Sequence, residues 1–432
     1  MIVWILRDAR PTIFSWVVDC INILESVITY NVRMFSMSGT GAFKIVEGVY
    51  WVGVKDWGRR LFDSLIPLPK GTSYNAYLVV GSEKVALIDT VNPGFEKALE
   101  DNVREVVEPG EIDYVVMNHA EPDHAGAIPH VLNTAPKAKL VTTSTGLRMA
   151  KIFYSVPAER VHVVRDGDKI SLGSKTLRFI EAPMLHWPET MFTFLEEDKI
   201  LFPCDFFGSH LAEGMFDDEV EDLIIHSQRY WAEIMMPFKA SALRALEKIS
   251  NLDIEIIAPS HGPIYKNPKK ILTKYLEWAQ GKTKEKASII YASMWGYTEK
   301  IARLMENELI RLGIHTVVYD LAHADIGDMA KDLADSRAAI LATPTVIGLA
   351  HPLATQATYL VKLLKPPVRY VGLVVLYAWG TNADKQLSDA FKELGVEIVD
   401  TVKINVTPTE NDVKRVKELA AKIAQKIKEG GS

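Results

Sequence analysis

The chain of 432 residues contains only two cysteines, Cys20 and Cys204. Without a Cys-x-x-Cys pair, two cysteines exclude a disulfide framework, and they exclude a fused domain whose iron is held by thiolates. A metal ion in this protein must therefore be held by histidine, aspartate and glutamate. The chain also lacks an excess of positive charge, because its formal net charge is −6. The net negative charge argues against a nucleic-acid-binding protein, which would have an excess of positive charge.

The chain has little that resembles a membrane-spanning segment. Its apolar stretch Thr12–Tyr30 is interrupted by Asp19 and Glu25, and a charged residue at the bilayer centre costs roughly 3 kcal/mol. We interpret residues 1–36 as a non-native or disordered extension, with Met37 as an alternative start. A peripheral amphipathic anchor and a true span are the other interpretations. We expect no stable membrane insertion and a cytoplasmic location.

The length of the sequence and a change in its pattern of elements indicate two domains, since 432 residues are more than a single domain with one hydrophobic core usually contains. Residues 38–283 carry short strand-like segments such as Tyr74–Val80, interleaved with helical stretches such as Gln228–Ile249. This mixture predicts packed sheets flanked by helices. The polar segment Tyr275–Lys286 is the predicted junction. Residues 284–432 alternate between strands and helices, which predicts a parallel sheet with crossover helices.

Seven potential metal ligands follow apolar, strand-like runs of the first domain. Four of them lie within the six residues from His119 to His124. The carboxyl ends of neighbouring strands meet along one edge, so we expect these side chains to converge. Three carboxylates in one cluster require cations to neutralise their charge. The predicted metal ligands are His119, Glu121, Asp123, His124, His186, Asp205 and His261.

Three loops of the second domain follow predicted parallel strands, where ligands bind in open α/β sheets. The first loop precedes a helix, whose backbone N–H groups and dipole favour a phosphate. It lacks the lysine of a Walker motif, which argues against a nucleoside triphosphate. The predicted cofactor-binding residues are Ser293, Met294, Trp295, Gly296, Tyr297, Thr298, Thr343, Pro344, Thr345, Val346, Tyr377, Ala378, Trp379 and Gly380.

The run from His119 to His124 resembles the first ligand loop of the metallo-β-lactamase superfamily, whose hydrolases carry His-x-His-x-Asp-His. This chain has Glu121 in place of the second histidine, which is the pattern of the flavodiiron proteins. The three loops of the second domain resemble the phosphate and isoalloxazine loops of flavodoxins, although Trp295 stands where ordinary flavodoxins have threonine. The resemblance implies an α/β protein in which a metallo-β-lactamase-like αββα sandwich precedes a flavodoxin-like, doubly wound parallel-sheet domain.

The resemblance also implies the cofactors and the activity. FMN and two iron ions would reduce O₂ to water, nitric oxide to nitrous oxide, or both. His119, Glu121 and His186 would hold one iron, Asp123, His124 and His261 the other, and Asp205 would bridge them. Electrons would come from rubredoxin or a similar small carrier, or alternatively from a deazaflavin. A head-to-tail homodimer or a dimer of dimers is the implied assembly.

A zinc-dependent hydrolase with a regulatory flavodoxin-like domain is the alternative. Glu121 argues against it, because a carboxylate adds negative charge and hard oxygen ligation, which favour ferric iron over a hydrolytic zinc site.

Overall fold

The computed structural model describes residues 41–430. The predicted extension at residues 1–36 lies outside this range. Within residues 41–430, no helix combines the length and the apolar character that crossing a membrane requires.

The N-terminal part contains two stacked sheets. Its strands are β1 (Phe43–Val46), β2 (Val49–Trp51), β3 (Val54–Asp56), β4 (Leu61–Phe62), β5 (Ile66–Pro67), β6 (Thr72–Tyr74), β7 (Tyr77–Val80), β8 (Val85–Ile88), β9 (Ile112–Val116), β10 (Lys139–Thr142), β11 (Val161–Val163), β12 (Lys169–Ser171), β13 (Thr176–Glu181), β14 (Met191–Leu195), β15 (Ile200–Phe202) and β16 (Ile256–Ile257). One sheet has the order β1-β2-β7-β8-β9-β10-β11, and the other has the order β12-β13-β14-β15-β16. The pairs β3–β6 and β4–β5 form small separate ribbons.

Helices cover the outer faces of both sheets. They are α1 (Glu96–Arg104), α2 (Pro122–Ala125), α3 (Ile128–Thr134), α4 (Ser144–Tyr154), α5 (Leu223–Tyr230), α6 (Lys239–Ile249) and α7 (Pro268–Ala279), with 3-10 turns at Pro109–Glu111, Ala158–Arg160 and Asp217–Glu219. Strand β14 is mostly apolar because both of its faces are buried. Met191 and Leu195 pack between the two sheets, whereas Phe192 and Phe194 pack under the helices. The resulting layer order is αββα, as predicted.

The C-terminal part is a doubly wound sheet. Its strands are β17 (Lys284–Tyr291), β18 (His315–Asp320), β19 (Ser336–Val346), β20 (Leu349–Ala350), β21 (Tyr370–Tyr377) and β22 (Glu397–Asn405), and its helices are α8 (Tyr297–Arg311), α9 (Ile326–Leu333), α10 (Pro352–Leu364), α11 (Ala383–Lys392) and α12 (Glu410–Glu429). The parallel order is β18-β17-β19-β21-β22, and β20 pairs antiparallel with β19. Helices α8 and α12 cover one face, and α9, α10 and α11 cover the other. The carboxyl ends of β17, β19 and β21 are therefore adjacent.

The predicted helical stretch Gln228–Ile249 is helical throughout but irregular in its middle. Helix α5 ends at Tyr230 and is followed by a π-helical turn, Trp231–Met235, and a 3-10 turn, Met236–Phe238, before α6 begins. Pro237 accounts for the break, because proline has no N–H group to donate and its ring clashes with the preceding turn of a helix.

The connection between the two parts lies within the predicted junction Tyr275–Lys286 but is shorter than that segment. Tyr275 is fully buried in the core under α7, and only four residues separate α7 from β17. Lys286 lies within β17, where its Nζ is 2.6 Å from an oxygen of Asp332 and 2.7 Å from one of Asp335. The predicted junction is polar partly because Lys286 forms buried ion pairs, and not because the whole segment is a solvated linker.

The predicted strand Tyr74–Val80 is divided between β6 and β7. Asn75 leaves the sheet, and its side-chain Nδ2 donates hydrogen bonds of 2.8 Å to the carbonyl oxygens of Pro259 and Gly262. The interruption therefore fixes the loop that follows β16, which carries a predicted metal ligand.

The two parts share a packed interface formed by α5 and α9. Ala330 of α9 belongs to the same apolar cluster as Trp231. Arg229 of α5 donates hydrogen bonds to Asp325 at 2.8 Å and to Asp328 at 3.2 Å. Arg229 is largely buried, so its hydrogen bonds to Asp325 and Asp328 connect the two parts at their shared interface.

Candidate metal centre and flavin cleft

The seven predicted metal ligands lie in the segments that follow β9, β13, β15 and β16, and two of them, Asp123 and His124, belong to the short helix α2. Their nitrogen and oxygen atoms form two groups, and within each group the atoms lie within 4.8 Å of one another. The first group consists of His119, Glu121, His186 and Asp205, and the second consists of Asp123, His124 and His261.

In the first group, two imidazoles face the same two carboxylates. The Nε2 atom of His119 is 3.2 Å from Glu121 Oε2 and 3.4 Å from Asp205 Oδ2. The Nε2 atom of His186 is 2.9 Å from Glu121 Oε2 and 3.6 Å from Asp205 Oδ2. This mixed set of nitrogen and oxygen donors suits a transition-metal ion.

The second group uses the other oxygen of Asp205. His124 Nε2 is 2.9 Å from Asp205 Oδ1, and His261 Nε2 is 3.4 Å from the same atom. Both imidazoles also approach Asp123, at 3.4 Å and 3.3 Å respectively. Asp205 therefore turns one oxygen to each group, which is the arrangement that a bridging carboxylate requires.

Several atoms of the cluster are buried without a hydrogen-bond partner among residues 41–430. They are both carboxylate oxygens of Asp123, Oδ2 of Asp205, Nδ1 of His124 and Nε2 of His261. A buried polar atom without a partner is costly, and native structures contain few of them. Metal ions would satisfy the oxygens of Asp123 and Asp205 and Nε2 of His261, so the residues present fit a dinuclear centre. Nδ1 of His124 is not among the atoms a metal would satisfy, because His124 faces Asp205 with Nε2.

The electrostatics of the cluster also favour cations. Burial alone would lower the pKa of His186, but hydrogen bonds and charge interactions with Asp205 and Glu121 outweigh it and raise the pKa to about 10. Burial alone would raise the pKa of Asp205, but the neighbouring imidazoles, His124 first, hold it well below its usual range. Metal ions would take the place of the protons on the imidazoles, so their binding releases protons.

An open cleft with about 750 Å³ of empty space lies at the carboxyl ends of β17, β19 and β21. The predicted residues that line it are Met294, Trp295, Tyr297, Thr298, Pro344, Thr345, Tyr377, Ala378, Trp379 and Gly380. Thr298 lies in the first turn of α8, so the cleft reaches a helix amino terminus that favours a phosphate.

Four predicted cofactor-binding residues do not line the cleft: Ser293, Gly296, Thr343 and Val346. They support the loops that do. The hydroxyl of Ser293 accepts a hydrogen bond of 3.1 Å from the backbone N–H of Gly296, which has a left-handed φ of 80° that glycine adopts without strain. The hydroxyl of Thr343 accepts one of 3.0 Å from the N–H of His351. Val346 pairs within the β19–β20 hairpin.

Residues 72–262 match the family described as ODP family beta lactamase, and residues 289–418 match the flavodoxin family. A nitric oxide reductase of Moorella thermoacetica is 38% identical over 393 residues, which cover 89% of this chain and 98% of that protein. The solved rubredoxin oxygen:oxidoreductase of Desulfovibrio gigas superposes with a TM-score of 0.87 at 31% identity, covering 90% of this chain and 99% of that one. The flavodiiron protein of Giardia intestinalis superposes with a TM-score of 0.86 at 27% identity, covering 91% and 99%.

The chain belongs to the flavodiiron protein family.

Membership confirms the predicted fold class, with its metallo-β-lactamase-like and flavodoxin-like domains. As a flavodiiron protein, the chain is an oxidoreductase whose cofactors are FMN and a diiron centre. The comparisons favour this function over the zinc-dependent hydrolase.

The flavodiiron cluster contains partners that are not among the predicted site residues. The Nδ1 atom of His119 lies 2.8 Å from Glu189 Oε1, and the Nδ1 atom of His261 lies 2.6 Å from the carbonyl oxygen of Ser73. Such partners fix the orientation of a ligating imidazole. The only sequence signal for Glu189 is its place in the loop of His186, three residues further on.

Tyr230 is another residue that the sequence does not reveal. Its hydroxyl donates a hydrogen bond of 2.8 Å to Asp205 Oδ1, and the residue is almost fully buried. Tyr230 is the last residue of α5, far from every ligand in the sequence, so only the packing of α5 on the second sheet brings it there.

The flavin cleft also contains residues outside the predicted set. Strand β19 runs to Val346 and so includes the predicted loop residues Thr343, Pro344, Thr345 and Val346. The tight turn that follows places Ile347 and Gly348, both with positive φ, against the cleft. Leu376 and Val406 complete the additional lining residues.

Proposed function

We propose that this protein reduces O₂ to water, nitric oxide to nitrous oxide, or both, with electrons that pass through FMN to the diiron centre. The observation that carries the proposal is Glu121, whose carboxylate faces His119 and His186 where a hydrolase of this fold has an imidazole. The added charge and hard oxygen ligation favour ferric iron. The names of two relatives, nitric oxide reductase and rubredoxin oxygen:oxidoreductase, support both oxidants.

We propose the following assignment of residues. Residues 38–283 form the metal domain, and residues 284–432 form the FMN domain. One iron is held by His119, Glu121 and His186, the other by Asp123, His124 and His261, and Asp205 bridges them. This division is supported by the two groups of donors and by Asp205, which turns one carboxylate oxygen to each group.

We assign the phosphate of FMN to the loop at the amino end of α8, which contains Thr298. The isoalloxazine ring is assigned to the loops after β19 and β21, including Pro344 and Trp379. The residues that line the cleft support both assignments.

Each bound FMN and each diiron centre stores two electrons, so together they supply the four electrons that reduction of O₂ to water consumes. The protein's own residues hold the ligands in place. Glu189 orients His119, the Ser73 carbonyl orients His261, and Tyr230 holds one oxygen of Asp205. Because the cluster is almost entirely buried, bulk water is excluded from it, which strengthens every charge interaction inside.

Two exposed apolar patches support a head-to-tail homodimer as the assembly. The first, here called the flavin rim, consists of Trp295, Ile347 and Trp379, which are 82%, 93% and 91% exposed. Exposed apolar surface of this kind marks an interaction site.

The second patch, here called the metal-loop patch, consists of Ile152, Phe153 and Met184, which are 76%, 51% and 42% exposed. The ring of Phe153 is 5.9 Å from that of Trp187, which in turn is 5.0 Å from that of His119. A two-fold axis that places the flavin rim of one protomer on the metal-loop patch of its partner buries both patches twice. We propose that each flavin thereby serves the partner's irons.

We also propose that electrons reach FMN from a separate small carrier such as rubredoxin, and that the protein is cytoplasmic. The sequence has only two cysteines and no Cys-x-x-Cys pair, and Cys204 is buried in the described part of the chain. The name of one structural relative includes rubredoxin.

Anaerobic assays with each oxidant test the proposed reaction. FMN is first reduced chemically, O₂ or nitric oxide is then added, and the flavin absorbance is followed. We expect rapid reoxidation by at least one oxidant, and no flavin reduction by NADH alone. The matched control is the double variant His119→Ala with Asp205→Ala, which retains the flavin cleft. Reoxidation at the rate of this control with both oxidants would contradict the proposal.

A further inference from the structure

The carboxylate of Glu189 lies directly behind His119. Its side chain is fully buried, and Oε1 accepts hydrogen bonds of 2.8 Å from His119 Nδ1 and of 2.8 Å from the backbone N–H of Ala120. The other oxygen, Oε2, is buried without a partner in the described part of the chain. The negative charge of Glu189 is therefore directed toward His119 and is poorly screened by solvent.

Within residues 41–430, none of the other three cluster histidines has a carboxylate hydrogen-bonded to its Nδ1 atom. The Nδ1 atom of His261 faces a neutral carbonyl oxygen, that of Ser73, at 2.6 Å. The Nδ1 atom of His124 is buried without a partner within residues 41–430. No carboxylate of the described range is hydrogen-bonded to Nδ1 of His186. Glu189 therefore adds a hydrogen-bonded negative charge beside the first group that has no counterpart beside the second.

We propose that Glu189 is a positioning residue that makes the iron held by His119, Glu121 and His186 the easier of the two to oxidise. The proposal rests on the ligand assignment proposed above. A carboxylate that accepts a hydrogen bond from a ligating imidazole raises the basicity of that ligand, and added negative charge stabilises the ferric over the ferrous ion.

In electron terms, the first electron removed from the diferrous centre comes from this iron. One ferric and one ferrous ion remain, and the oxidant, or a redox mediator in a titration, takes the electron. Which of the two irons is oxidised first is thus decided by Glu189, a residue that contacts neither iron.

The competing explanation is that Glu189 only fixes the loop through Ala120. Glu189→Gln separates the two explanations, because the amide keeps the size and an acceptor oxygen for both N–H groups and loses the charge. Glu189→Asp keeps the charge. Glu233→Gln is the control for the same substitution at a buried glutamate elsewhere, since the side chain of Glu233 is 3% exposed, accepts a hydrogen bond from Arg229 and has one unpartnered oxygen within residues 41–430, but has no hydrogen bond to a proposed ligand.

The measurement is an anaerobic potentiometric titration of the holoenzyme, in which electron paramagnetic resonance follows the mixed-valence state. In Glu189→Gln we expect the ferric-to-ferrous ratio of the first iron oxidised, read at a fixed potential, to fall about tenfold. A tenfold change corresponds to about 59 mV for one electron. Glu189→Asp is expected to lie nearer the wild type, and Glu233→Gln to match it.

An unchanged potential in Glu189→Gln, or an equal shift in Glu233→Gln, would overturn the proposal. Loss of iron from Glu189→Gln and Glu189→Asp alike would also overturn it, since it would show a structural role alone. Loss from Glu189→Gln only would support a role for the charge. Wild-type protein without two irons would instead contradict the ligand assignment, and the proposal would fall with it.

Discussion

Replacing Glu121 with histidine is expected to lower reduction of O₂ and nitric oxide about a hundredfold and to raise the zinc content. The substitution removes one negative charge from a cluster in which Glu121 Oε2 lies 2.9 Å from His186 and 3.2 Å from His119. It restores the His-x-His-x-Asp-His spacing of the hydrolases. Imidazole suits zinc, whereas the lost carboxylate favoured ferric iron. Because loss of an outer partner alone costs ten- to a hundredfold in metal affinity or activity, loss of a ligand costs at least as much.

The check is metal analysis of the purified variant together with the anaerobic flavin-reoxidation assay. Glu121→Gln is the control, because it removes the charge without adding an imidazole, and we expect it to lose activity without gaining zinc. If Glu121→His retains iron and full activity, the carboxylate is not what selects the metal, and the proposed ligand role of Glu121 is wrong.

Mixing two inactive variants is expected to restore about one quarter of wild-type activity if each flavin serves the partner's irons. One variant, His119→Ala with Asp205→Ala, lacks iron. The other, Thr298→Glu, lacks FMN, because a carboxylate at the cleft repels the phosphate. After dissociation and reassembly, about half of the dimers are heterodimers, and each holds one complete flavin–diiron pair out of two.

The control for this experiment is each variant reassembled with itself, which should stay inactive. Heterodimer formation is verified with two different affinity tags. If heterodimers form and no activity returns, each flavin serves the irons of its own chain, and the proposed pairing of the flavin rim with the metal-loop patch fails.

The metal cluster could be predicted from the sequence because its ligands follow strands. Strand ends are visible as the limits of apolar runs. The carboxyl ends of β13, β15 and β16 lie along one edge of the second sheet, and β9 belongs to the first sheet, which is stacked on it. His119 and His261 are therefore predictable as neighbours although they are far apart in the chain. The structure brings all seven predicted ligands together, and their roles toward iron stay a proposal.

The supporting residues could not be predicted in the same way. Tyr230 reaches Asp205 only because α5 packs on the second sheet, and no local spacing records that packing. The continuation of β19 to Val346, and hence the place of Ile347 in the cleft, depends on pairing with β20. Lys286 looked exposed because its buried partners, Asp332 and Asp335, lie far along the chain.

The measurement that tests the central claim most directly is the cofactor content of the wild-type protein, expressed with sufficient iron. Elemental analysis and flavin extraction are expected to give two irons and one FMN per chain, because the donor set of four imidazoles and three carboxylates forms two adjoining groups and the second domain has a cleft formed by the flavodoxin loops. Two tightly bound zinc ions, with hydrolysis of a thioester or a lactam, would contradict the account.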